Sequence, residues 1–176
     1  MTHTKLTEQS NSATETVLSI LKGLLTSPET FSEDLGLVKV DSFSKDSVLV
    51  TVVTLPGGVY SELKRGLGAA TERLEEVLGG TVFLIRARVD SGLKKGEKCF
   101  RTGPTYADYQ ESVAADLAAP FHIVDRRSLV REDGSRVEKI ILDIKSQKEH
   151  AHRFEPMALV FESLFAKKAT FQANYY

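Results

Sequence analysis

The sequence predicts an α+β fold in a single domain: a mixed β-sheet with a strand–helix–strand crossover, a long C-terminal β-hairpin and packed helices. Three observations predict it. Short β-branched runs alternate with longer segments of helical periodicity. Pro56-Gly57-Gly58 and Gly79-Gly80 bracket one amphipathic segment, and Asp133-Gly134, a dipeptide favoured in tight hairpin turns, separates two strand-like runs. With 176 residues, 41% hydrophobic and 27% charged, the chain can bury a core of its own and spans one domain over 1–176.

The polar residues 1–11 are expected to form a flexible tail. Ser12 followed by Glu15 is a capping-box spacing, and Val17, Leu18, Leu21, Leu24 and Leu25 recur at helical intervals behind it. Pro28 ends that helix and opens a short helical turn through Asp34, with Ser27 as cap. Leu37–Val40 and Ser47–Thr54 read as strands joined by a polar connection from Ser42 to Asp46. A helix follows from about Val59 to Leu78, with Leu63, Leu67, Ala70, Leu74, Val77 and Leu78 on its apolar side and Gly79-Gly80 as its stop. Thr81–Ala87 is the next strand, and the order strand, helix, strand predicts parallel pairing. Residues 90–104 form a basic, Gly-punctuated loop. A helix from Tyr106 to Leu117 stops before Pro120, and strands at Ser128–Glu132 and Arg136–Ile144 flank the Asp133-Gly134 turn. The last helix runs from Ser146 to Phe165, kinked or split at Pro156, and Lys168–Ala173 makes a final edge strand.

Charge is distributed unevenly. The whole chain has a formal charge of −1, but residues 1–80 carry −4 and residues 81–176 carry +3. Arg86, Arg88, Lys94, Lys95, Lys98 and Arg101 form one basic cluster, and Arg126, Arg127 and Arg131 a second. The single Cys99 excludes an internal disulfide framework and fits a reducing compartment. No stretch reaches the roughly 20 apolar residues of a membrane-spanning helix, so a soluble, intracellular protein is expected.

Features that invite chemistry are sparse. Pro56-Gly57-Gly58 lies between a strand and a helix, where backbone N–H groups can meet a phosphate, although no Gly-Lys-Ser/Thr follows. A small nucleotide- or phosphate-binding protein using this turn is the alternative function. His150 and His152 are two apart on a helix and point away from each other, which does not suit a shared metal with His122. Cys99 sits among cations that lower a thiol pKa, but no His–Asp arrangement accompanies it. The sequence reads as non-enzymatic, with no cofactor or metal expected. Guanidinium groups pair with phosphates and stack on bases, so the basic loop and hairpin suit folded RNA. Phe100, Tyr106, Tyr109 and Phe121 are aromatics available for interleaving or for core packing.

The run Ile123-Val124-Asp125-Arg126-Arg127, then Val130-Arg131, Asp133-Gly134-Ser135-Arg136, Lys139 and Leu142-Asp143, resembles the signature region of the eukaryote-specific family of small-subunit ribosomal protein seven. The likeness continues without a gap through His152-Arg153, Val160, Leu164, Lys167 and Phe171, and upstream Asp116-Leu117 and Pro120 fall where the family ends a helix. It is strongest over residues 106–173. Over residues 15–89 it is carried by element order and apolar pattern. The resemblance implies a structural constituent of the small subunit that binds ribosomal RNA and neighbouring ribosomal proteins. It works in the cytoplasm after nucleolar assembly, with no membrane or small-molecule partner. By motif position it implies Arg126, Arg127, Arg131, Arg136, Lys139, His152 and Arg153 as RNA contacts, joining Arg86, Arg88, Lys94, Lys95, Lys98 and Arg101 of the basic cluster. The chain departs from the family in two places: residues 90–104 replace a longer, more basic insertion, and Leu129 stands where a basic residue is common.

Overall fold

The computed structural model describes residues 10–25, 31–45, 48–88, 105–143 and 147–174. Residues 1–9 of the expected tail and the expected basic loop 90–104 lie outside them. Helix α1 (Ser10–Leu24) starts two residues before the Ser12 capping position and buries Val17 and Leu21 completely. The short α2 (Ser32–Leu35) precedes an antiparallel hairpin of β1 (Lys39–Lys45) and β2 (Val48–Leu55). Ser42–Lys45, expected in the turn, are strand residues paired with Val48–Thr51. They sit on an edge strand, where cross-strand pairing and the packing of Phe43 outweigh their low strand propensity.

The chain then crosses over through α3 (Gly57–Leu63), a 3₁₀ turn at Lys64–Gly66 and α4 (Leu67–Leu78). It returns as β3 (Thr81–Arg86), parallel to β2 as expected. The reversal after α4 needs both glycines. Gly79 has φ +68°, and a Cβ on Gly80 would lie 2.7 Å from the Leu49 carbonyl oxygen.

The second half repeats this order. Helix α5 (Tyr106–Ala118) opens on a capping box in which the Thr105 hydroxyl accepts from the Asp108 N–H and the Asp108 carboxylate accepts from the Thr105 N–H. The hairpin of β4 (Ile123–Val130) and β5 (Arg136–Leu142) follows, then α6 (Gln147–Phe165) and β6 (Lys168–Ala173), parallel to β5. The hairpin turn places Gly134 at φ +78°, with its N–H donating to the Arg131 carbonyl. Both halves therefore read helix, hairpin, helix, parallel strand, a repeat of architecture without a repeat of sequence.

The strands form two three-stranded sheets, β1-β2-β3 and β4-β5-β6, each mixed, where the sequence suggested one. Helices α5 and α6 separate them. One core lies between α1, α3, α4 and one face of the first sheet, using Val53, Leu55, Val82 and Leu84. The other lies between the opposite face of that sheet (Val50, Val52, Phe83, Ile85), helices α5 and α6, and the inner face of the second sheet (Ile140, Leu142, Phe171). The order of layers is helices, sheet, helices, sheet, and among the described residues no helix covers the outer face of the second sheet.

Helix α6 runs through Pro156 without division. An interior proline costs a helix about 3 kcal/mol. Met157, Val160 and Phe161 are fully buried around it, at about 1.5–3 kcal/mol each, and their packing holds the helix together. No helix among the described residues is long and apolar enough to cross a membrane.

Candidate nucleic-acid interface

Side chains on adjacent strands that pair in register share a face. Arg126, Ile140 and Phe171 form one such row on the inner face, and Ser128, Glu138 and Ala169 the next. The outer face carries the rows Arg127, Lys139, Thr170 and Leu129, Val137, Lys168. Neighbouring residues of β4 therefore have opposite fates. Arg127 lies on the open face, its side chain 65% exposed and its Nε 2.6 Å from Asp125 Oδ2, and this hydrogen bond holds the Asp125 carboxyl below the usual range. Arg126 turns inward and pairs with Glu138, donating from Nε at 3.0 Å and also from Nη2.

Glu138 receives a second cation. Lys167 Nζ lies 3.5 Å from Glu138 Oε1 and donates to Gln110 Oε1 at 2.8 Å. Burying the Glu138 carboxylate unpaired would be costly, and Arg126 and Lys167 supply the compensation.

Arg88 and Arg153 are also used inside the protein. Arg88 Nη1 lies 2.6 Å from Asp116 Oδ2, and its Nη2 donates to the Ser112 carbonyl at 3.1 Å. Arg153 lies over the Phe83 ring at 5.4 Å, approaches Glu75 Oε1 at 3.7 Å and points Nη2 toward the Val82 carbonyl, tying α6 to α4 and β3. His152 is exposed on α6. Lys94, Lys95, Lys98, Arg101, Cys99 and Phe100 lie outside the described residues.

The open sheet face and its hairpin tip thus gather four of the expected contacts: Arg127, Arg131, Arg136 and Lys139. Arg131, Arg136 and Lys139 make no ion pair among the described residues. The structure adds Lys168, which sequence reading missed. Its signal was its place two residues before Thr170 on a half-exposed strand. Hydrogen bonds from Ser135 keep the Asp133 carboxyl at the tip below its ordinary range, with Arg131 and Lys168 adding to the effect.

Three of the aromatic candidates, Tyr106, Tyr109 and Phe121, take part in packing, and Phe121 stays partly accessible. Tyr106 and Tyr109 lie 6.3 and 5.7 Å from Phe165, edge to face, and Phe121 packs on the second core.

The Pro56-Gly57-Gly58 turn is occupied by protein. A Cβ on Gly58 would lie 3.2 Å from both Phe31 and the Asp34 carboxylate, and one on Gly57 would lie 3.3 Å from Arg86 Nε. The glycines make room for Phe31, Asp34 and Arg86, so a carboxylate and a guanidinium both stand beside the start of α3. His122 and His152 are both exposed, and no group of three His, Cys, Asp or Glu side chains converges among the described residues.

Tyr60 has a separate role. Its hydroxyl donates to Asp116 Oδ1 at 3.2 Å, and burial, reinforced by the Asp116 charge, pushes its pKa up to about 12. The neutral phenol is favoured on folding, so this contribution is complete below the ordinary tyrosine value near 10 and is lost as pH rises through 12. Denaturant titration at pH 9 and 11.5 should show Tyr60→Phe losing less stability than the parent chain, by about 1 kcal/mol once solvent screening at the edge of an open cleft is allowed for. Equal losses would contradict this role.

Fold and surface together define a layered α+β protein that displays cations on an open sheet face, the arrangement of a surface that meets a polyanion. The model of ribosomal protein S7e matches residues 3–173, and the chain belongs to that family. Small ribosomal subunit protein eS7z of Arabidopsis thaliana is 26% identical over 124 residues, covering 69% of this chain and 65% of that protein. Small ribosomal subunit protein eS7 of Hordeum vulgare is 31% identical over 101 residues, covering 56% and 53%. The protein of the same name from Avicennia marina is 28% identical over 124 residues, covering 69% and 65%. The chain therefore covers less than two thirds of the length of each relative. The crystal structure of APE1850 superposes on 95% of this chain and 100% of its own with a TM-score of 0.50 at 13% identity, a likeness of fold alone.

Proposed function

We propose that this chain is a structural constituent of the small ribosomal subunit that binds ribosomal RNA and neighbouring ribosomal proteins and supports subunit assembly and translation. The observation that carries the reading is membership of the ribosomal protein S7e family combined with an uncovered basic face on the second sheet. The mechanism is binding: Arg127, Lys139, Lys168 and the hairpin tip neutralise phosphates and release their counterions. Leu129 and Val130, exposed apolar residues of β4, together with the acidic first half, suit contact with neighbouring proteins. The protein works on cytoplasmic ribosomes after entering the subunit in the nucleolus.

Sedimentation of a tagged copy on a sucrose gradient tests this. The expected result is migration with small subunits, monosomes and polysomes, collapsing to the free small subunit when EDTA separates the ribosome. A copy that stays at the top of the gradient in both conditions would overturn the reading.

A further inference from the structure

Besides the sheet face, the molecule has an open cleft of about 410 Å³ between the 3₁₀ turn and start of α4 on one side and the end of α5 with the Phe121-His122 segment on the other. That volume is in the range of sites for small organic ligands. Its charge is lopsided. The acidic group in it, Asp116, is consumed internally by Arg88, the Tyr60 hydroxyl and the Arg86 backbone N–H. Lys64, Arg65 and Arg86 also line the cleft, are exposed, and make no ion pair among the described residues. Three cations without an ion pair among the described residues line one concavity and raise the positive potential in it. The lining also includes Phe121 and Pro120, apolar and partly accessible, with the exposed His122 next in sequence. Gly68 also lines the cleft, is exposed, and a Cβ built there meets nothing within 4 Å.

Cations and partly accessible apolar surface lining the same cleft suit a nucleotide, whose phosphate and base need those two environments. We infer that this cleft takes one unstacked nucleotide of an RNA strand, its phosphates against Lys64, Arg65 and Arg86 and its base against the Pro120–His122 wall. The inference rests on the RNA-binding reading above but concerns a different surface from the basic sheet face. Lys64-Arg65 is the only adjacent basic pair in residues 1–80, and Arg86, which lines the same cleft, reaches the Gly57 backbone with its guanidinium. The acidic half of the chain thereby contributes its own RNA contact.

The test uses the full chain, a fluorescent single-stranded RNA octamer, and free adenosine monophosphate as the small counterpart. The octamer should bind, and Lys64→Ala with Arg65→Ala should weaken it about tenfold at low salt. Each lost cation should also lower the salt dependence of log affinity by about 0.7. Gly68→Leu, which puts a bulky side chain in the cleft lining without changing charge and raises helix propensity, should weaken binding similarly while the melting temperature holds. Loss with the alanine pair but none with Gly68→Leu would reduce the cations to a surface patch and overturn the cleft. Free nucleotide binding as tightly as the octamer would overturn the RNA assignment. Unchanged octamer affinity in all variants, with the parent chain still in small subunits, would sink the cleft and leave the ribosomal role standing. Absence of the parent chain from subunits would sink that role instead.

Discussion

Reversing Arg127 and Lys139 together to glutamate is expected to lower the amount of tagged chain in small-subunit fractions about tenfold or more, with the isolated protein still folded. Both side chains lie in one row on the outer face of the second sheet, so their replacement removes two cations and adds two charges that repel a phosphate backbone. Neither is needed by the core, and surface substitutions of this kind usually change stability by no more than about 0.5 kcal/mol. Arg126→Glu, one residue away, should do the reverse. It places a carboxylate against Glu138 on the inner face, and the fold should lose about 2–3 kcal/mol, below the cost of breaking a wholly buried pair. Gradient profiles and urea midpoints for both variants settle the matter. Normal subunit levels in the Arg127/Lys139 variant would remove the sheet face from the RNA-binding account.

Phe161→Ala carries the largest expected cost to stability, about 3–5 kcal/mol. The ring is fully buried, 4.8 Å from Phe165 and 6.4 Å from Phe171 by centroid. It sits in the core shared by both sheets, so the void has walls on several elements that cannot all close in. Against the 5–15 kcal/mol typical of a whole domain, the variant should unfold at a far lower urea concentration. Leu164→Ala, on the exposed side of the same helix, should stay within about 0.5 kcal/mol of the parent. Similar midpoints for the two variants would mean that α6 is not the central support of the second core.

Periodicity made the order of elements legible, and the glycine pairs fixed where the main reversals fall. It did not reveal the start of β4. Asp125, Arg126 and Arg127 interrupt the apolar alternation, which pointed to Ser128, whereas the strand begins at Ile123. The inner positions there are polar because an ion pair with Glu138 takes the place of apolar packing. The same long-range pairing hid which cations are available. Arg88 finds Asp116 and Arg153 finds Glu75 across great distances in sequence, so a list of basic residues mixes internal struts with displayed charge. Strand parity does separate Arg126 from Arg127, but only once the covered face is known. The division into two sheets was invisible for a related reason: nothing local to a strand records which of two hairpins it will join.

The two cores close on different schedules. Every residue of the first, from Val17 to Leu84, belongs to the first half of the chain, so this part of the molecule can pack while later residues are still being made. Its sheet then presents Val50, Val52, Phe83 and Ile85 as a bare apolar surface that waits for α5 and α6. During synthesis, at about 5–20 residues per second, that surface stays uncovered for several seconds. The vulnerable stage in the life of this protein is a half-made chain on the ribosome that produces it, with a sticky face that its own second half must reach before another chain does.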